Sequence, residues 1–200
     1  MELFIKWLNV PGRFEFFEGD IVLKSAARTK RAIIRPISKL WKFGIVPYVL
    51  DSSLTTSAKR YIGAAIRSFE RKTCIRFIPK SKEHVDYIMF INQPGCWSYV
   101  GKQGGEQHVS LGAGCDNFGT VLHETAHALG FWHEQSRPDR DTFVKLIKKN
   151  IPSRFLSQFG KRDSEESSTR GYAYDYDSIM HYGERYFSSN NRATLKVSAL

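Results

Sequence analysis

The chain has 200 residues, a formal net charge of +10 and three cysteines. Its 42% hydrophobic and 14% aromatic content exclude a disordered or low-complexity chain, and its length suits one domain or a small two-lobed one. No apolar run approaches the ~20 residues of a membrane span, and Lys6 and Asn9 interrupt what could be a signal peptide. The basic residues are scattered, which favours a generally basic surface over nucleic-acid binding. An odd number of cysteines leaves one of them without a partner in the chain.

The period of the apolar residues predicts alternating strands and helices. Residues 43–50 are rich in β-branched and aromatic residues, and Pro47 favours an edge position for this strand. The strands predicted in chain order are 43–50, 74–78, 87–92, 97–100 and 108–111, and the predicted helices are 56–72 and 118–130.

Residues 1–31 differ in composition from the rest of the chain. An aromatic and acidic patch at 14–20 is followed by a basic stretch that ends Arg28-Thr29-Lys30-Arg31. The pattern Arg-x-Lys-Arg is typical of sites that furin-like processing proteases cut, although an exposed basic run gives the same letters. The stretch alone leaves both interpretations open.

The second predicted helix carries the residues of a metal site. His123 and His127 are four residues apart and therefore lie on one helix face, where both imidazoles can bind one zinc ion. Gly130 can adopt the left-handed conformation that ends a helix, so the chain can turn and bring in His133 as a third ligand. Three protein ligands leave a position for water, as in catalytic zinc sites, and Glu124 is placed to accept a proton from that water.

A methionine follows these residues in the run Ser178-Ile179-Met180-His181-Tyr182. A zinc helix, a glycine turn, a third histidine and a later methionine turn are the metzincin motif. Within the metzincins the chain resembles the astacin family, because HEQSRPDRD begins at His133 and SIMHY follows later. The similarity extends from about Lys42 to about Phe187, with a shorter match before it, and is nearest to tolloid-like and hatching-enzyme-like members.

The resemblance implies an α+β fold with two lobes. The N-terminal lobe is expected to be a mixed twisted sheet with two long helices, and the C-terminal lobe to be mostly irregular with few helices. The implied function is that of a secreted, extracellular zinc metalloendopeptidase, made as a latent zymogen, which hydrolyses protein substrates with one Zn²⁺ per chain. The alternative is a non-catalytic binding protein that keeps the same fold.

The resemblance also assigns roles to single residues. It implies that His123, His127 and His133 hold zinc, and that Glu124 is the general base and later the proton donor to the leaving amine. Tyr182 is expected to coordinate zinc in the resting enzyme and to swing away to hydrogen-bond the oxyanion. Three further histidines, His84, His108 and His181, are not expected to bind the metal. Of these, His181 is expected to lie next to the ligands and contact them without binding zinc.

Two more residues of the family motif have structural roles. Met180 is expected to form an apolar floor under the metal without binding it. Glu134 is expected to pair with the amine of Ala32, once cleavage after Arg31 by a processing protease makes Ala32 the N-terminus.

The start of the chain resembles a family propeptide. Phe17-Glu18-Gly19-Asp20 matches the motif F-x-G-D, in which the aspartate binds zinc and keeps the zymogen silent. The resemblance therefore makes Asp20 the zymogen switch. It implies a partial propeptide at 1–31 and a peptidase domain at 32–200.

The three cysteines find places in the same pattern. Cys96 and Cys115 match a family disulfide. Cys74 matches a cysteine whose partner lies near the end of the family's domain, so Cys74 is expected to be unpaired and the domain to be cut short at Leu200. The strand near 107–111 resembles the family's edge strand, which pairs antiparallel with an extended protein or peptide substrate.

Overall fold

The structure is a computed structural model that describes residues 16–22, 33–34, 36–165 and 167–198. Its residues form two compact units. The first contains Pro36–Gly130 together with residues 16–22, and the second contains residues 131–165 and 167–198 together with residues 33–34. Arg31 and Ala32, where processing is predicted, lie outside the described residues.

The described part of the first unit is built around a mixed sheet. Its strands are β1 (Phe16–Phe17), β2 (Ile21–Val22), β3 (Ile45–Leu50), β4 (Arg76–Pro79), β5 (Tyr87–Ile91), β6 (Cys96–Ser98) and β7 (Glu106–Leu111), in the spatial order β1-β2-β6-β7-β5-β3-β4. The pairs from β4 through β3 and β5 to β7 are parallel. β6 is antiparallel to β7, β2 is parallel to β6, and β1 is antiparallel to β2. The predicted mixed sheet is confirmed.

Two helices complete the first unit. Helix α1 (Thr56–Lys72) begins where the Thr55 hydroxyl accepts the Ala58 N–H at 3.0 Å, and helix α2 (Phe118–Leu129) begins where the Asn117 side-chain oxygen accepts the Thr120 N–H at 3.0 Å. The apolar stripe of α1 packs with buried residues of α2 and the sheet in one core. Burial of this stripe therefore holds both helices against the sheet.

Two predictions about sheet edges were wrong. β3 pairs with β4 on one side and β5 on the other, so it is an interior strand. Pro47 is tolerated because the ladder to β5 begins only at Tyr48, so Pro47 pairs with β4 alone. β7, which contains the predicted substrate-pairing strand at 107–111, lies between β5 and β6 and has no open edge.

The second unit has little regular structure in its described residues. It contains the one-turn helix α3 (Arg140–Phe143) and a two-stranded antiparallel sheet of β8 (Val144–Leu146) and β9 (Leu195–Val197). Its core is largely aromatic, with Phe159, Tyr174 and Tyr182 buried together. The predicted irregular lobe is confirmed. None of the helices in the described part of the chain combines the length and apolar composition that a membrane crossing requires.

Candidate metal centre

Helix α2 places two histidines on one face, as their spacing predicts. The ring centroids of His123 and His127 are 4.7 Å apart, with the two ring planes at 89°. His127 is fully buried, whereas the side chain of His123 keeps 12% of its surface exposed. One turn of helix thus presents two imidazoles side by side.

The helix ends in a left-handed glycine, and this prediction is confirmed. Gly130 has φ 113°, and its N–H is bonded to the carbonyl oxygens of Ala126 and His127. Such a φ is costly for a residue with a Cβ atom, so glycine fits the turn. The chain then enters the second unit, where His133 is fully buried and precedes a 3₁₀ turn at Glu134–Ser136.

A hairpin brings a carboxylate to the same histidines. Glu18 and Gly19, between β1 and β2, both have positive φ, at 54° and 90°. The carbonyl oxygen of Asp20 accepts the Ser98 N–H of β6 at 2.9 Å, which fixes the hairpin to the sheet. The carboxylate of Asp20 then lies 3.1 Å from Nε2 of His123 and 3.7 Å from Nε2 of His127.

These residues form one group of potential metal ligands. The ligand atoms of Asp20, His123, His127 and His133 all lie within 4.8 Å of one another. Imidazole nitrogens and a carboxylate oxygen are donors that zinc binds in four-coordinate sites. The donor set therefore fits one zinc ion.

Glu124 follows the ligand His123 in the chain but is not one of the potential metal ligands. It is fully buried, and neither of its carboxylate oxygens makes a hydrogen bond within the described residues. Burial first, and the negative charge of Asp20 second, raise the pKa of Glu124 well above its ordinary value. A buried carboxyl without a partner is costly, and a metal-activated water beside it would supply that partner.

Residues of the methionine turn lie inside the second unit. Met180 is 4% exposed and Tyr182 is 6% exposed, and the Tyr182 ring centroid lies 4.8 Å from that of His133. His181 is bonded to the Tyr174 hydroxyl through Nε2 and to the Tyr182 carbonyl oxygen through Nδ1, both at 2.7 Å. The roles of Met180, His181 and Tyr182 stay predictions.

Glu134 has partners of its own in this structure. Its Oε1 accepts Arg137 Nη1 at 2.8 Å and the Asp175 N–H at 3.0 Å. The predicted pairing of Glu134 with Ala32 concerns a residue outside the described part of the chain and stays a prediction.

The cysteines occupy the places that the family pattern implies. Cys96 and Cys115 form a disulfide with their Cα atoms 5.7 Å apart, and Cys74 is a free, exposed cysteine among the described residues. The disulfide joins β6 to the loop before α2, so it ties this strand to the helix that carries the histidines.

Sequence reasoning missed two features of this region. Strand β6 was predicted at 97–100, but the hydrogen bond by which its Ser98 N–H fixes Asp20 was not, because this contact joins residues 78 positions apart and has no periodic signal. Gln135 is fully buried and its side chain accepts the Tyr182 N–H, a contact across 47 positions that has no periodic signal.

Comparisons with known proteins decide the family. The family model described as Astacin, a peptidase family, matches residues 33–199. The chain belongs to the astacin family of zinc metallopeptidases. This astacin therefore has zinc as its metal, and His123, His127 and His133 form a site that could bind one ion.

Relatives and solved structures agree with the assignment. Zinc metalloproteinase nas-13 of Caenorhabditis elegans is 39% identical over 180 residues, which cover 90% of this chain and 40% of that protein. Tolloid-like protein 1 of Homo sapiens is 43% identical over 163 residues, which cover 80% of this chain and 16% of that protein. This astacin thus spans less than half the length of either relative.

A solved structure supports the fold. High choriolytic enzyme 1, a hatching enzyme zinc-protease from Oryzias latipes, aligns with a TM-score of 0.76 and 36% identity. The alignment covers 84% of this chain and 86% of that chain. The α+β metzincin fold predicted from the sequence is confirmed.

Proposed function

We propose that this astacin is a secreted zinc endopeptidase that hydrolyses peptide bonds in proteins and is made as a latent precursor. The observation that carries the proposal is the buried Glu124 carboxyl, which has no hydrogen-bond partner among the described residues and follows the ligand His123 directly. A purely structural metal site needs no such group, because its ligands close the coordination sphere themselves.

The proposed chemistry divides between the metal and the chain. Zinc, when bound, supplies Lewis-acid activation of water and of the scissile carbonyl. Glu124 accepts the proton of the attacking water and then donates it to the leaving amine. Tyr182 donates a hydrogen bond to the oxyanion.

The proposed substrate is an extended peptide added to the sheet at β6. This strand has β7 on one side, and on the other side it is met by β2 through the pair Ile21 and Ser98. A substrate antiparallel to β6 would take the place of β2 after the N-terminal segment leaves. β2 runs parallel to β6, opposite to that substrate direction, which is consistent with a segment that blocks the edge without being cut.

Latency is proposed to depend on Asp20. Its carboxylate is a fourth donor beside the histidines and would occupy the position that water needs. Cleavage after Arg31 by a processing protease would release the segment that carries Asp20. The Cys96–Cys115 disulfide supports the proposal of secretion, because disulfides persist mainly in oxidising compartments.

The proposal is tested by Glu124→Gln. We expect the variant to bind one zinc ion as the wild type does, and to lose at least about 100-fold in kcat/KM on a quenched fluorescent peptide, because the proton acceptor is gone. Zinc content and peptidase activity are measured after removal of residues 1–31. Glu83→Gln, which changes an exposed carboxylate in the loop between β4 and β5, is the control and should keep wild-type activity.

Two results contradict the proposal in different ways. Near-wild-type turnover in Glu124→Gln excludes Glu124 as the general base. A wild-type chain that binds zinc but cleaves no general peptide is instead a binding protein with a metzincin fold.

A further inference from the structure

Gln135 links the turn after the third histidine to the turn that carries the methionine. It is fully buried, and its side-chain carbonyl oxygen accepts the backbone N–H of Tyr182 at 3.0 Å. The neighbouring Glu134 N–H donates to the Met180 carbonyl oxygen at 2.9 Å. We call these two hydrogen bonds the Gln135 clamp.

The clamp has a firm base within the second unit. The carbonyl oxygen of Gln135 accepts Nη1 of the buried Arg140 at 3.1 Å, and that of Ser136 accepts the Arg162 N–H at 2.6 Å. His133 accepts the Ser136 N–H at 3.1 Å through its carbonyl oxygen. Hydrogen bonds therefore hold the main chain from His133 to Ser136 at several points. Through its side chain, Gln135 connects the Tyr182 backbone to this fixed segment.

Ring packing alone does not fix the position of the Tyr182 backbone. Its ring contacts those of His133, Phe159 and Tyr186, with centroids 4.8, 5.7 and 5.3 Å away. Apolar ring contacts are broad in angle and tolerate sliding, whereas a hydrogen bond to the backbone sets the position of the Cα atom. Loss of the acceptor would leave a buried N–H without a partner, and the turn would shift to regain one.

The chemistry of the side chain indicates why this position holds a glutamine. Nε2 of Gln135 makes no hydrogen bond within the described residues, so only its carbonyl oxygen is used. An aliphatic residue would fill the space without accepting the N–H. A glutamate would accept it but would bury a second carboxylate next to Glu134, which already has Arg137 as its partner.

We infer that Gln135 is a positioning residue for the reaction: it fixes Tyr182 so that the phenol meets the oxyanion in the transition state. This inference rests on the proposed function, in which Tyr182 is the oxyanion donor. Displacement of a donor by about 1 Å can cost about 100-fold in rate, and a backbone shift of that size changes kcat more than KM.

A double-mutant cycle tests the inference. The variants are Gln135→Met, which keeps the volume and removes the oxygen, Tyr182→Phe, and both together. We expect Gln135→Met to lower kcat about 10- to 100-fold with KM within about twofold. In the Tyr182→Phe background the same change should lower kcat less than about twofold, because the hydroxyl that Gln135 positions is already absent.

Two further measurements separate positioning from folding. Zinc content should be unchanged in every variant, and amide hydrogen exchange at Tyr182 should accelerate in Gln135→Met but not in Tyr182→Phe. Gln158→Met makes the same substitution at a partly exposed position of the second unit and should leave kcat and the Tyr182 amide unchanged.

The outcomes are distinct. The inference is overturned if the kcat losses of Gln135→Met and Tyr182→Phe multiply in the double variant, or if the exchange rate of the Tyr182 amide is unchanged in Gln135→Met. The proposed function stands in either case as long as the wild type is active. A zinc-loaded wild type without peptidase activity overturns the proposed function itself, and the positioning role with it.

Discussion

At the scale of single residues, two buried carboxyls share the surroundings of His123. Asp20 is 1% exposed and Glu124 is fully buried, and the charge of Asp20 is the second cause of the raised pKa of Glu124. In the proposed latent form, Asp20 is a competing ligand, and its negative charge adds to the effect of burial on the pKa of Glu124. Release of Asp20 would free a ligand position and remove the second cause of the raised pKa of Glu124.

Asp20→Asn is expected to raise the activity of the intact chain. The amide is a weaker donor to zinc than a carboxylate and carries no charge. If the substitution weakens the hold on the site by ~1.4 kcal/mol, the open form becomes tenfold more populated. Turnover of a quenched peptide by the intact chain, with integrity checked by mass spectrometry, measures the effect.

The control for Asp20 is Glu18→Gln. Glu18 is a buried carboxylate in the same hairpin and does not belong to the ligand group, so its neutralisation should leave the intact chain latent. Equal activity of intact wild type and Asp20→Asn would argue against the switch.

Single residues differ in how far the sequence predicts them. The spacing of His123 and His127 predicts that both side chains lie on one face of a helix, because helical geometry fixes which side chains share a face. Gly130 was predictable for a similar reason, since its left-handed φ is a local property. Gln135 was not predictable, because its partner Tyr182 depends on how two distant turns fold against each other.

At the scale of elements, helices were easier to predict than strand neighbours. α1 was predicted at 56–72 and is found at Thr56–Lys72, because a long amphipathic stripe has a clear period. The order of strands follows from long-range pairing, which leaves no local trace. The predicted edge positions of β3 and β7 therefore failed although both strands exist.

The small sheet of β8 and β9 contains an unfavourable pair. Lys145 and Lys196 are directly opposite in the antiparallel register, and both are exposed. Directly opposed side chains have Cβ atoms ~5 Å apart, so the two ammonium groups repel each other. Because these lysines are 51 positions apart in the sequence, the pair could not be predicted without the register of the two strands.

Lys196→Glu is expected to stabilise this sheet. The change replaces repulsion with attraction and should add about 0.5–1 kcal/mol to the free energy of unfolding, a rise in Tm of about 1–4 °C for a domain of this size. Thermal unfolding at low ionic strength measures it. Added salt should shrink the gain, since exposed charges are screened.

A charge change elsewhere provides the control for Lys196. Lys82→Glu alters the net charge equally at an exposed position outside the strands, so it should move Tm by much less. A similar gain in both variants would assign the effect to the net charge of +10 and not to the pair.

At the scale of the whole molecule, the two units differ in how much of their structure can be predicted from the sequence. The first unit is a sheet with two helices, and its α+β class follows from periods of apolar residues. The second unit is held by buried aromatic residues and by Arg137, whose guanidinium binds Glu134 and Asp139. Such contacts have no period, so only the family resemblance predicted an irregular lobe.

Acid sensitivity of the fold has an identifiable source in the first unit. Asp86 accepts Lys102 Nζ through Oδ2 at 2.6 Å and the Gly105 N–H through Oδ1 at 2.7 Å, which fixes the loop before β7. The hydrogen bond from Lys102 first, and that from Gly105 next, lower the pKa of Asp86 below its ordinary value of 3.8. Because the folded pKa lies below the unfolded one, the contribution to stability is complete above the unfolded pKa and is lost as the pH falls through the folded pKa.

Asp86→Asn is therefore expected to destabilise the protein at neutral pH and to lose its effect in acid. The loss should be about 1 kcal/mol, at the low end for charged hydrogen bonds, because both side chains are partly exposed. Urea unfolding of wild type and variant, each without zinc, should show the full difference near about pH 6 and a shrinking one below about pH 4. Asp177→Asn, at an exposed aspartate of the second unit, is the control. A difference that stays constant into acid would mean that Asp86 contributes through packing and not through its charge.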